Sequence, residues 1–297
     1  MTLSPDVDII MLGHFAKDKL VVDDVSETAS GGAVYYGSVA LRRIGLRVAV
    51  VTRLHPSDFA LLDELEQEDI RVFAAAAPVT SGIENIYNSA DMERRTCKLM
   101  AFAGPFRQEE VPDLSAQVYL ITPIIAGEVS LSLLKALASR GPVGLDVQGF
   151  VRVRENGQLV FRQWPDMAEG LAHVTYLKVD RAEAELLTGQ TDLQIAARQL
   201  AAYGPPENEI VVTQSSGLTV YASGRIYEAP FTSRSLDGRT GRGDTCFATY
   251  VGKRLSASAE EACRFAAAVT TLKQEQPGPW RGTLDDVAAV LASQRHA

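Results

Sequence analysis

Brief apolar runs alternate along the chain with segments whose apolar positions recur at helical spacing. The runs at 7–12, 48–52, 118–122, 143–147, 174–179 and 210–213 are rich in Val, Ile and Leu and are bounded by glycine, proline or charged residues. Continuous apolar character over so few residues predicts strands covered on both faces, as in a mostly parallel sheet. Between them, the segment 32–44 sets Tyr36, Val39, Ala40 and Ile44 near one face, and 129–138 groups Val129, Leu133, Leu134 and Leu137. Both predict amphipathic helices. The C-terminal third reads as helical at 244–255, 259–273 and 284–293. Strand and helix in this alternation predict an α/β fold, a three-layer α/β/α sandwich on a mostly parallel central sheet with right-handed crossovers.

Two stretches fall outside that rhythm. Residues 15–30 mix charges around Leu20, Val21 and Val22, and residues 83–102 place two strand-like arms around a polar turn near 89–92. Neither fits a strand–helix unit, so both are expected in a small β-sheet lid at the sheet edge. With no repeat and no linker in evidence, the expectation for 1–297 is one domain carrying that lid.

Composition narrows the possible partners. The chain has 297 residues, 46% hydrophobic and 22% charged, with a formal net charge of -8 and a pI near 5.1. An acidic surface repels phosphate backbones, which argues against nucleic acid as a partner. Cys97, Cys246 and Cys263 lie far apart without metal-ligand spacing and read as reduced thiols, and His14, His55, His173 and His296 show no metal spacing either. Residues 1–8 lack the basic and apolar regions of a signal peptide, and the longest apolar runs are strand-sized, so a cytoplasmic protein without membrane contact is expected.

The segment richest in chemistry is Arg239-Thr-Gly-Arg-Gly-Asp-Thr-Cys-Phe, followed by a helical stripe through Phe247, Tyr250, Val251 and Leu255. Gly241 and Gly243 thus sit in a turn entering a helix, where bare backbone amides approach an anion and the helix end adds about half a positive charge. Such a turn suits charge developing on a transferring phosphoryl group, and Asp244 in the first helical turn is placed to accept a hydroxyl proton. The same residues also describe an ordinary turn with an acidic helix start. The Arg242-Gly243-Asp244 tripeptide of adhesion ligands would require export, for which no signal is seen.

Thr240-Gly-Arg-Gly-Asp-Thr-Cys-Phe resembles the C-terminal signature of the ribokinase-like (PfkB) family of carbohydrate kinases, and further motifs follow in the family's order over nearly the whole chain. Gly13-His-Phe-Ala-Lys-Asp18 resembles the first-strand motif, whose aspartate binds substrate hydroxyls. Gly31-Gly32 resembles the di-glycine that lets substrate lie against backbone. Lys178-Val-Asp-Arg-Ala-Glu183 is similar to the element associated with magnesium and phosphate, and Thr213 through Gly217 to the strand-end turn that meets ATP. Residues 266–278 occupy the place of the helix and loop that flank adenine.

The resemblance implies an ATP-dependent kinase acting on a polyol hydroxyl. Asp244 would be the base, and Gly241, Arg242 and Gly243 would hold the migrating group. Asp18, Gly31, Gly32, Tyr36, Asp146 and Gln148 would line the substrate. Lys178, Asp180, Thr213, Ser215, Gly217, Thr240 and Lys273 would serve the nucleotide, and Glu183 would act on Mg²⁺ through water. A monovalent cation is an accessory of the same resemblance, and exposed lid edges suit a homodimer. The arginine pair Arg94 and Arg95 offers either an anion contact from the lid or a solvated edge. Tyr36, where sugar kinases often carry asparagine, Arg242 between the glycines, the displaced Asp237 and Asp180 in place of asparagine put typical ribose or fructose-phosphate specificity in doubt. Gly31-Gly-Ala-Val-Tyr-Tyr, Asp146-Val-Gln-Gly-Phe-Val-Arg152 and Gln276-Pro-Gly-Pro are similar to myo-inositol kinases. The alternatives are a nucleoside kinase of this fold, or a silent small-molecule binder on it.

Overall fold

The computed structural model describes residues 5–23, 25–88 and 91–294, and at 87–88 and 91–95 the backbone alone. The tip of the expected hairpin at Ser89 and Ala90, and the Arg94 and Arg95 side chains, lie outside the described residues. The large sheet is built from β1 (Val7–Leu12), β4 (Val48–Leu54), β5 (Arg71–Ala76), β8 (Ala116–Ile121), β9 (Val143–Asp146), β12 (Tyr176–Asp180), β13 (Glu209–Gln214), β14 (Gly217–Ala222) and β15 (Arg225–Pro230). Their order is β15-β14-β13-β12-β9-β8-β1-β4-β5. Pairing is parallel from β5 to β13, while β14 and β15 add an antiparallel edge.

Alternation of side chains explains why these strands are apolar throughout. In β1, Ile10 and Leu12 enter one core and Ile9 and Met11 the other. Tyr119 and Ile121 of β8 face the first, Val118 and Leu120 the second. A strand with helices on both sides has no face left for polar residues. The first core is closed by α3 (Leu131–Ala138), α4 (Gln148–Val151), α5 (Met167–Leu171), α6 (Arg181–Thr188) and α7 (Leu193–Ala201). The second is closed by α1 (Ala33–Arg43), α2 (Asp63–Gln67), α8 (Arg242–Arg254) and α9 (Ala259–Gln274), with α10 (Leu284–Gln294) packed on α9. The three-layer sandwich is as expected.

The stretches that break the rhythm form a second sheet: β2 (Ala16–Val22), β3 (Val25–Gly31), β6 (Gly82–Asn88) and β7 (Asp91–Ala101). It is extended by β10 (Arg152–Glu155) and β11 (Gln158–Phe161), in the order β10-β11-β7-β6-β2-β3. The last hairpin was not anticipated, because four-residue strands of charged and mixed character carry no apolar run. The antiparallel edge at 217–230 was not anticipated either, its two strands around the Ser223-Gly224 turn having been assigned to no element.

Candidate active site

A cleft of about 280 Å³ opens where β9, β12 and β13 end, with the small sheet on its other side. Open α/β sheets bind ligands at these carboxyl ends. Its donor-like wall comes from the start of α8: Thr240, Gly241, Arg242, Gly243 and Asp244, with Arg239 ahead of them. Gly241 is the residue before α8 and has φ 82°, the left-handed conformation that glycine adopts without strain. A Cβ there would stand 2.3 Å from the Tyr36 ring, so the turn rests directly on that ring. Asp244 lies in the first turn and faces the cleft.

Beneath Gly243 sits Lys178, 4% exposed, at the level of Thr213. Its ammonium is 3.1 Å from Asp146 and 3.6 Å from Glu183. Burial works against that charge, but Asp146, then Glu183, Asp180 and Asp244, outweigh it and hold the amine well above the ordinary lysine range. Glu183 is pushed up to about 7 by burial, which Lys178 opposes. Asp180 and Glu183 also form a reciprocal capping box at the start of α6, at 2.8 and 2.7 Å. Glu183 Oε1 is buried without a protein partner. Among the described residues no cluster of three metal-ligating side chains occurs. This donor set suits a hydrated Mg²⁺ carried by phosphate, since that ion keeps most of its waters, better than a protein-caged ion.

The opposite wall belongs to the small sheet and its neighbours. Asp18 accepts from the Ile83 amide at 2.9 Å, and a Cβ on Gly31 would lie 2.4 Å from its second oxygen. Gly31 therefore makes room for Asp18 instead of lining the cleft. Gln148 receives Arg152 Nη2 at 2.8 Å, while its own amide donates to Asp146 at 3.0 Å. Asn85 accepts from the Cys97 thiol at 3.3 Å.

Of the expected residues, Asp18, Gly32, Tyr36 and Gln148 line the cleft, and so do Lys178, Asp180, Thr213 and Thr240 with the α8 turn. Asp146 and Glu183 stand behind Lys178. Ser215, Gly217 and Lys273 are not in the lining. Ser215 is exposed in the β13–β14 turn, and Gly217 allows the close approach of β15, a Cβ there meeting the Ala229 carbonyl at 2.4 Å. Lys273 is buried under the loop before α8, donating to the Gly238 carbonyl at 2.5 Å, 5.2 Å from the Tyr36 ring centroid. Burial lowers its amine to about 8, against the pull of Asp244. Asn85, Ile83, Ile124, Arg152 and Arg239 line the cleft without having been singled out. Arg152 and Arg239 stood inside motifs already read, so charge within a motif was the available signal; Ile83 and Ile124 gave none.

The loop before α8 is stitched to the end of α9. Thr232 N reaches Thr271 Oγ1 at 3.0 Å, Arg234 N reaches Glu275 at 2.9 Å, and Gly238 N reaches the Gln274 carbonyl at 2.8 Å. A Cβ on Gly238 would come within 1.7 Å of the Gln276 carbonyl, so the seam is closed.

Comparison with known proteins agrees with this geometry. The pattern of the pfkB family carbohydrate kinases matches residues 6–284. A pyrophosphate-dependent kinase in the ribokinase family, solved with a pyrophosphate analog and myo-inositol, is 36% identical over 95% of this chain and 99% of its own, with a TM-score of 0.87. A pyrophosphate-dependent myo-inositol-1 kinase, converted into a myo-inositol-3 kinase by two substitutions to leucine, is 35% identical over 96% and 99%, also at 0.87. Arabidopsis thaliana ribokinase with ribose and ATP shares the fold at 19% identity over 97% and 99%, with a TM-score of 0.75. No curated protein sequence matches. Together with the cleft, these matches show that the chain belongs to the pfkB family of carbohydrate kinases, phosphotransferases with an alcohol group as acceptor.

Proposed function

We propose that this kinase transfers a phosphoryl group to a hydroxyl of a cyclitol such as myo-inositol, and that its donor is inorganic pyrophosphate instead of the ATP expected from the sequence. One observation carries the donor reading. The cleft offers amides and the cations Lys178, Arg239 and Arg242, whereas Ser215, Gly217 and Lys273, expected around a nucleotide, lie outside its lining, Lys273 beneath the stitched loop. Relatives at 35–38% identity that use pyrophosphate support it.

Phosphoryl transfer asks a protein for positioning and charge neutralisation. Asp18 orients acceptor hydroxyls, since a carboxylate accepts two hydrogen bonds. Asp244 takes the proton from the attacking oxygen, and the amides of the α8 turn receive the charge of the migrating group. Mg²⁺, held through water by Asp180 and Glu183, would neutralise the donor phosphates. Lys178, held as a cation by the carboxylates around it, faces the same phosphates.

The test is product formation from a panel of cyclitols, sugars and nucleosides with pyrophosphate or ATP. Wild-type protein is expected to phosphorylate a cyclitol with pyrophosphate. Asp244→Asn should lose about 10²–10⁴-fold in kcat while still binding both ligands. Preference for ATP would overturn the donor reading, and near-normal turnover by the variant would overturn the base.

A further inference from the structure

Behind the acceptor wall lies a buried carboxyl that the proposed chemistry does not use. Glu128 is 0% exposed, as is His14. One Glu128 oxygen accepts the amides of Ile124 and Ile125, each at 2.8 Å, and the other accepts the amide of His14 at 3.2 Å. The His14 imidazole is hydrogen-bonded to Ser81 Oγ at 2.8 Å, and Ser81 Oγ accepts the Ala103 amide at 2.9 Å. The His14 carbonyl packs against Gly32, where a Cβ would come within 2.3 Å. The Glu128 carbonyl receives the Phe106 amide at 2.8 Å.

These contacts coincide with the crossings between the two sheets. His14 joins β1 to β2, Gly32 follows β3, Ser81 precedes β6, and Ala103 follows β7. The remaining entry, β10, is fastened to the same place. Ala126 N donates to the Arg152 carbonyl at 2.8 Å, and Arg152 Nη1 approaches the Ile124 carbonyl at 3.5 Å. Ile124 and Arg152 both line the cleft.

We propose that Glu128 is a positioning residue for the acceptor: it ties the neck of the small sheet to the segment 124–126, and so sets Asp18, Ile124 and Arg152 at a fixed spacing around the hydroxyl-bearing substrate. It touches no reacting atom. Glu128 makes no bond to the α8 turn, which rests on the Tyr36 ring. The inference rests on the assignment of that wall to the acceptor, and its test separates the two.

Glu128→Met keeps length but removes every acceptor, whereas Glu128→Gln retains a carbonyl oxygen for the Ile124 and Ile125 amides. The methionine variant is expected to raise the cyclitol KM by about 10-fold or more, with the pyrophosphate KM within about 3-fold of wild type, because misplacing a substrate contact acts on its own ligand. Glutamine should recover most of the cyclitol KM. Hydrogen exchange should quicken at the His14, Ile124 and Ile125 amides in Glu128→Met and stay unchanged in α8, whether or not a substrate has been found. A purely architectural role would lower the melting temperature and leave both KM values of the folded enzyme alone; that outcome, or equal shifts in both, overturns the proposal. Should Glu128→Met not fold, Ser81→Ala applies the same test to the neighbouring link, with faster exchange at Ala103 and a cyclitol KM raised by about 3-fold. Unchanged exchange and KM there would reject it. Wild-type activity on another acceptor class, with the split between donor and acceptor intact, would overturn the choice of substrate and leave the positioning role standing.

Discussion

Gly241 answers two demands that only a glycine meets. Its φ of 82° is costly for any side chain, and a Cβ would enter the Tyr36 ring. Gly241→Ala is therefore expected to cost about 1–3 kcal/mol of stability from backbone strain and overpacking. By tilting the amides of the α8 turn it should also lower kcat/KM by about 10²-fold; chemical denaturation and initial rates measure the two effects. The sequence reading assigned this glycine to anion binding alone. The ring beneath it comes from α1, and nothing local to Gly241 announces it. Tyr36 then acquires a reason of its own: it stands where sugar kinases often carry an asparagine, and here it is the floor of the α8 turn. Lys273 is the converse case: a cation expected at the donor holds the Gly238 carbonyl under the loop. A side chain's type was legible in both cases; which side of the backbone it occupies depends on packing between distant segments.

At the scale of elements, long apolar periods were the most legible. The predicted helix at 259–273 and the observed α9 agree almost to the residue, since a capping box at Ser258 and Glu261 and a buried stripe define it locally. Strands of four residues, such as β10 and β11, give too short a period to be read, so β10 itself gave no sign of the place of Arg152 in the cleft. The start of α6 was read as a motif for magnesium and phosphate, and the fold gives it a structural meaning of its own. Asp180 caps the helix by accepting the Glu183 amide, and the Glu183 carboxylate returns the bond. Asp180→Ala should lower stability by about 1 kcal/mol through loss of that cap. A matched drop in the melting temperature, measured without ligand, is the check; an unchanged value would show that the cap adds nothing to stability.

For the molecule as a whole, the buried pair between the sheets shapes the response to pH. Burial drives His14 from its ordinary 6.5 down to about 3, so the unfolded chain binds the proton more readily across that window and stability is lost as pH falls through it. Burial pushes Glu128 from 4.5 up to about 8, against the amides that favour its ionised form. There the folded chain binds more protons, and stability declines as pH rises through that range. The two slopes oppose each other between 4.5 and 6.5. Replacing His14 with Gln removes only the first, so the melting temperature of the variant relative to wild type should climb as pH is lowered from 6.5 to 4.5. A flat difference would show that His14 does not sense acid in the fold.

The cysteines carry a practical corollary. Cys246 and Cys263 are buried, and burial raises their thiols to about 11 and about 12, which leaves almost no thiolate at neutral pH. Cys97 is partly open to solvent and sits on β7, touching Asn85 above the cleft. A maleimide fluorophore added to the unaltered chain would thus attach at one address, and its emission would follow the small sheet as ligands enter and leave.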